Sequence, residues 1–224
     1  PHDGGLSLGH LFNYIKPKTR VNVTYSGIPL LDRDRLSEYI SKYNAVKINK
    51  RQIAKKLKEG KIIGFVYDDS EIGPRALGNR SIVCDPSYPD MKDKLNSKVK
   101  FREWYRPFAP FCRKEIAQKY FETRDYDNLE YMSFAPKVKI NNIPAVTHID
   151  RSARLQTVTE TTHNHFYDIL IEFGKMSEVE VLLNTSFNIR GKPILTRISD
   201  AIHILNNTEL DYVVIEDYLF SKNV

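Results

Sequence analysis

From residue 37 onward the apolar positions fall into short, regular groups. Leu36, Tyr39, Ile40 and Tyr43 recur at helical spacing, and Val46 and Ile48 follow, so the pattern predicts a short helix leading into a strand. Ile53, Ala54 and Leu57 before Gly60 predict a second helix with a glycine stop. Lys61 to Tyr67 is an apolar run of strand length. Helix, glycine and buried strand in succession is the rhythm of an α/β domain. Further strands are predicted over 81–84, 138–140, 155–158 and 179–183, helices over 165–175 and 200–205, and closing strands over 212–215 and 218–220. Residues 1–36 lack this rhythm. A glycine-rich opening, PHDGGLSLGH, runs into Leu11, Phe12, Tyr14 and Ile15, and 16–36, with Pro17, Gly27 and Pro29, reads as a connector.

Composition narrows the class. A chain of 224 residues with 41% hydrophobic positions carries enough apolar side chains for an ordinary core, which excludes disorder. No apolar run approaches the ~20 residues of a bilayer span, and the opening lacks the pattern of a secretory signal, so a cytoplasmic location is expected. Two cysteines, Cys84 and Cys112, make neither a disulfide framework nor a zinc cluster. The net charge is +6, and residues 92–119 account for all of it, with nine Lys and Arg against three acids. Such a patch suits an anionic partner, phosphate or nucleic acid; a solvated basic face is the plainer alternative.

Three segments carry candidate chemistry. Glu71-Ile-Gly-Pro-Arg-Ala-Leu-Gly-Asn-Arg-Ser81 follows the predicted strand at 61–67; Gly73-Pro74 makes a turn, while Arg75 and Arg80 offer guanidinium forks suited to phosphate or carboxylate. A structural turn with one arginine paired to Glu71 or Asp85 is the alternative. In Lys98-Val-Lys-Phe-Arg-Glu-Trp-Tyr-Arg106, alternation would gather Lys98, Lys100 and Arg102 on one face of a strand, and a helix would make Lys98 and Arg102 neighbours. Trp104 and Tyr105 suit base stacking or packing, and Phe108 and Phe111 suit the core. Val181-Leu-Leu-Asn-Thr-Ser-Phe-Asn188 reads as a buried strand entering a polar loop, where open α/β sheets place ligands. Between these lies a segment with His148, Arg151 and Arg154; His163 and His165 read as a surface loop.

Taken together, IGPRALGNRSI, KLNSKVKFREWYRPFAPF, PAVTHIDRSARLQTV, LLNTSFNIRGKPI and DAIHILNNTELDYVVIEDYLFSK resemble, in order, the C-terminal domain of the O-carbamoyltransferases of nodulation and antibiotic tailoring. The resemblance spans roughly residues 50–222. It implies a YrdC-like α/β fold, a twisted open mixed sheet with flanking helices and a basic concave face, over 37–224. It also implies that ATP and carbamoyl phosphate are converted to carbamoyl-adenylate with magnesium. Lys100, Arg106 and Arg75 would be the catalytic cations; Arg102, Arg80, His148, Arg154, Asn184, Ser186 and Asn188 would bind substrate or nucleotide. Residues 1–36 look like a remnant of an N-terminal Kae-type ATPase-like domain, the expected partner for transfer to a hydroxyl, with Asp3 matching a ligand of that domain's iron or other divalent metal. Two positions depart from the family: Tyr67-Asp68-Asp69 stands where a glutamine-glycine-arginine run is usual, and Lys192 where glutamate is common. The alternative is a non-catalytic regulatory or nucleic-acid-binding module using the same groove. For a cytoplasmic carbamoyltransferase, nucleic acid and membrane are not expected partners.

Overall fold

A computed structural model describes residues 5–19, 21–124, 126 and 128–222. Along the chain run α1 (Leu6–Ile15), α2 (Leu36–Tyr43), β1 (Val46–Lys47), α3 (Lys50–Lys58), β2 (Ile63–Val66), β3 (Arg80–Cys84), α4 (Met91–Lys94), β4 (Ala109–Arg113), α5 (Ala117–Tyr120), β5 (Gln156–Val158), α6 (Asn164–Gly174), β6 (Val181–Ser186), α7 (Ile198–Asn207), β7 (Tyr212–Ile215) and β8 (Tyr218–Ser221). The eight strands form one sheet in the order β1-β8-β7-β2-β3-β6-β4-β5, with β2–β7 and β4–β5 parallel and the other pairs antiparallel.

Local chemistry sets the boundaries. Asn49 accepts from the Gln52 backbone N–H while the Gln52 side chain accepts from that of Asn49, a reciprocal cap that starts α3. Gly60, at φ +76, turns the chain into β2. Gly64 in β2 leaves room for the ring of Phe187, which a Cβ would overlap.

Alternating strand residues feed two apolar layers. Phe65, Val83, Phe111 and Leu182 pack under α3 and α6 through Ile53, Leu57, Phe166, Leu170 and Phe173. On the other face Val66, Ile82, Cys84 and Leu183 meet Met91, Leu95, Phe187, Ile198 and Leu205. Helices on both faces of a mixed sheet give the α/β, YrdC-like architecture that the motifs imply. Both cysteines are buried free thiols.

Several expectations change. Residues 138–140 form no strand and contribute only an isolated bridge, Phe121 to Val138. Strand β4 carries Pro110 between β6 and β5, and this proline masked the strand in the pattern. The connector 16–36 is stitched to the fold: Asp32 accepts from the backbone N–H groups of Ile198 (2.6 Å) and Ser199 (3.1 Å) at the start of α7, and Ile72 N–H donates to the Thr24 carbonyl. Asp3 lies outside the described residues. Among the described residues no helix is long and apolar enough to cross a membrane.

Candidate functional site

A cavity of about 100 Å³ opens at the carboxyl end of β6, lined among others by Arg75, Arg102, Phe108, His148, Arg154, Asn184 and Ser186. Three guanidinium groups thus converge on one small volume, with no carboxylate in its lining. Charge of one sign in a confined space is costly unless an anion enters. Burial and the nearby Arg154 depress the pKa of Arg75; burial and then Arg106 bring Arg102 down to about 10.

Each cation is held differently. Arg75 rides on the turn after Gly73-Pro74, which is fixed from behind. The buried Glu71 carboxylate accepts from the backbone N–H groups of Leu77 (2.6 Å), Asn79 (2.8 Å) and Arg80 (3.4 Å), and burial raises its pKa in spite of those donors. Gly78, at φ +131, sits against the ring of His163, where a Cβ would collide. Arg102 donates to Asn96 Oδ1 (2.7 Å) and lies over the Phe108 ring, 4.5 Å from its centroid. That leaves a cation supported from below by an aromatic face.

Lys100 stands behind the cavity and is 3% exposed. Its Nζ donates to the Ser186 carbonyl (2.6 Å), the Asn188 carbonyl (2.8 Å) and Asn188 Oδ1 (2.6 Å), with Ser186 Oγ at 3.3 Å. Burial, then Arg102, lowers its pKa to about 7. Lys100 therefore shapes the loop after β6 and does not line the cavity. The expected clustering of Lys98, Lys100 and Arg102 fails: Phe101, at φ +50, turns the backbone, and Lys98 instead pairs with Glu209 at 3.5 Å.

The remaining predicted residues divide. His148, Arg154, Asn184 and Ser186 join Arg75 and Arg102 in the lining, whereas Asn188 braces Lys100. Arg106 is half exposed, pairs with Glu103 at 2.8 Å and is not in the lining. Arg80 is fully buried and donates to the carbonyls of Tyr67, Asp68 (2.8 Å) and Asn79 (2.9 Å), so it anchors the turn and offers no fork to a ligand. Trp104 and Tyr105 are exposed, and Phe108 and Phe111 are core. The histidine segment is not a surface loop: His163 is buried at the N-terminus of α6 with its pKa lowered to about 3 by burial, and His165 stacks on Tyr67 at 4.3 Å. The Asp68 side chain is exposed, and neither Asp68 nor Asp69 lines the cavity. Sequence reasoning passed over Gln156, whose Nε2 donates to the Leu77 carbonyl (2.8 Å) and whose Oε1 accepts from Asn184 (2.8 Å). Its place two residues after Arg154 was the available signal.

The basic run 92–119 is not one continuous stripe, since Lys98, Arg106, Arg113 and Lys114 each have an acidic partner. Beside the cationic cavity, and sharing Pro74, Arg75 and Met132 with it, lies a larger chamber of about 500 Å³ walled by Leu8, Phe12, Ile72 and Leu77.

Residues 54–222 match the family described as carbamoyltransferase C-terminus. The chain belongs to this family. It is 45% identical over 167 residues to nodulation protein NolO of Bradyrhizobium diazoefficiens, covering 73% of this chain and 30% of that protein. It is 33% identical over 226 residues to the 3'-hydroxymethylcephem-O-carbamoyltransferase of Streptomyces clavuligerus, covering 99% and 42%. The chain therefore spans less than half the length of either relative. Among solved structures, full-length HypF in its phosphate- and nucleotide-bound form aligns with a TM-score of 0.50 at 19% identity, over 74% of this chain and 27% of that one, which is a likeness of fold.

Proposed function

We propose that this carbamoyltransferase C-terminal domain forms carbamoyl-adenylate from carbamoyl phosphate and ATP. The observation carrying this reading is the convergence of Arg75, Arg102 and Arg154 with Ser186 on one small cavity at a strand end. One water cleaves carbamoyl phosphate to carbamate and phosphate. The carbamate oxygen then attacks the α-phosphorus of ATP, and pyrophosphate leaves with the electrons of the broken P–O bond. Guanidinium groups stay charged throughout and are suited to the oxyanions that move in both steps. Lys100 acts as a positioning residue by holding the carbonyl of Ser186 and both acceptors of Asn188. Among the described residues no group of three or more His, Cys, Asp or Glu side chains is placed to hold a metal ion. The magnesium proposed here would accordingly be held by the nucleotide's own phosphate oxygens, where it would neutralise charge. Transfer of the carbamoyl group to a hydroxyl acceptor is assigned to the additional length seen in the relatives.

The test is carbamoyl-phosphate-dependent ATP–pyrophosphate exchange with magnesium. Exchange is expected with this chain, reduced at least tenfold in Arg75→Ala, since a charge-assisted contact contributes ~1.5 to 3 kcal/mol. A folded chain that shows no exchange and binds neither substrate overturns the reading.

A further inference from the structure

Away from the cationic cavity, a second group of titratable side chains gathers at the N-terminal end of α3. Toward the other end of that helix Lys58 and Lys61 pair with Asp85 (3.7 Å) and Asp211 (3.3 Å), whereas Lys50 Nζ lies 2.8 Å from His165 Nδ1. Two cations do not share so short a contact, so the imidazole is the neutral member and accepts from Lys50. His165 Nε2 faces Asp68 Oδ2 at 3.9 Å, which favours the ring proton on Nε2 and leaves the Nδ1 lone pair to Lys50. The buried Tyr67 ring holds the pair in place: His165 stacks on it at 4.3 Å with the planes 4° apart, and Lys50 Nζ is 5.1 Å from its centroid. Tyr67 and Asp68 are also two of the residues that depart from the family pattern, and the function proposed for the cavity leaves them unused.

The surroundings favour a free amine on Lys50. It is the first residue of α3, where the helix dipole opposes a cation, and it is partly buried. Burial lowers its pKa, against the opposing pull of Asp217 and Asp168. Burial, then the Lys50 charge, lowers that of His165, against Asp68, Asp217 and Asp168. The site is nonetheless open to small molecules, since Lys50 lines a groove between α3 and α6 together with Arg51, Asp168, Glu172 and Lys175. A partly desolvated amine hydrogen-bonded to a neutral imidazole is the arrangement of an activated nucleophile.

We propose that Lys50 is a nucleophilic amine with His165 as its proton acceptor, and that it takes a small uncharged electrophile, isocyanic acid, to become carbamoyl-lysine. The Nζ lone pair attacks the electrophile's carbon; an N–C bond forms, and the π electrons of the C=N bond move to the nitrogen. The proton lost from Nζ passes to His165 Nδ1 and from there to that nitrogen, while Asp68 faces the transient imidazolium. Nothing leaves and nothing is oxidised. Charge sets the choice of electrophile, because Asp68, Asp168 and Asp217 surround the pair and disfavour an anionic acyl phosphate. Loss of phosphate from carbamoyl phosphate supplies isocyanic acid, which ties the site's relevance, though not its chemistry, to the function proposed above.

The test is timed exposure of this chain to cyanate, with carbamoylation at each lysine read by peptide mass spectrometry. Lys50 should react at least about fivefold faster than the median lysine, since each unit of pKa depression raises the free-amine fraction about tenfold, offset in part by lower intrinsic nucleophilicity. Its rate should also level off at a lower pH than theirs. His165→Phe keeps a ring against Tyr67 and removes the base; it should slow Lys50 by about fivefold without raising the pH at which the rate levels off. That split separates loss of the base from loss of burial. Should this variant fail to fold, His165→Leu takes its place with the same expectation. Acetyl phosphate should show no preference for Lys50. An unexceptional wild-type rate, or a rate that loss of His165 leaves unaltered, overturns the inference, and a preference as strong with acetyl phosphate overturns the choice of electrophile. None of these results touches the carbamoyl-adenylate reading, which the exchange assay decides.

Discussion

The two walls of the cationic cavity are built on opposite plans. One wall is the end of β6 with its following loop, where the Lys100 ammonium is buried among oxygen acceptors. The other is the turn 71–79, whose Arg75 looks outward while Glu71 and His163 hold the backbone from behind. In the first the cation is part of the architecture; in the second it is carried by the architecture. The difference separates a charge bound up in backbone carbonyls from one left in the lining of a cavity, and residue type alone does not reveal which is which.

Breaking the buried wall should produce the largest effect. Lys100→Met takes one donor from the Ser186 carbonyl and from Asn188 Oδ1 and leaves the Asn188 carbonyl without its partner, and is expected to cost about 2 kcal/mol of stability, read from urea unfolding. Exchange activity should fall with it, because the Ser186 loop loses its brace.

Acid probes the back of the outward wall more gently. His163 is neutral in the fold, its pKa held at about 3 by burial, whereas in the unfolded chain it titrates near ~6.5. Between those values the unfolded state binds the extra proton, so stability falls as the pH is lowered through that window, by up to about 1.4 kcal/mol per unit. Urea unfolding at several pH values between 6.5 and 4 should show a shallower slope in His163→Asn, which retains an N-cap acceptor for α6 while removing the titrating ring. An unchanged slope would mean that another group is responsible.

The smallest change in stability is expected at the tip of the turn. Arg75→Ala should shift the unfolding free energy by no more than about 0.5 kcal/mol, the usual range for a surface position. If it destabilises the protein as much as Lys100→Met does, the contrast between the walls collapses.

The sequence made much of this legible. Helices α3, α6 and α7 and strands β2, β3, β7 and β8 follow from apolar spacing and from their stops, because in each the buried face is set by side chains close together in the chain. Strand β4 was hidden by Pro110, and 138–140, though apolar in pattern, found only a bridge. The cavity's residues were within reach as types: Arg75, Arg102, His148, Arg154, Asn184 and Ser186 all stand in the quoted motifs. Their division of labour was not, since Arg80 and Lys100 look like ligand cations until burial and carbonyl partners are known.

The arrangement of β6 has a consequence in time. Lys100 meets Ser186 across 86 positions and Asn184 meets Ala76 across 108, so the cavity is closed by contacts distant in sequence. Such closures are entropically late, and they delay the fold as a whole. During synthesis the basic turn and the aromatic loop after Lys100 leave the ribosome well before the strand that completes them. The cationic cavity is therefore completed late, when β6 docks between β3 and β4.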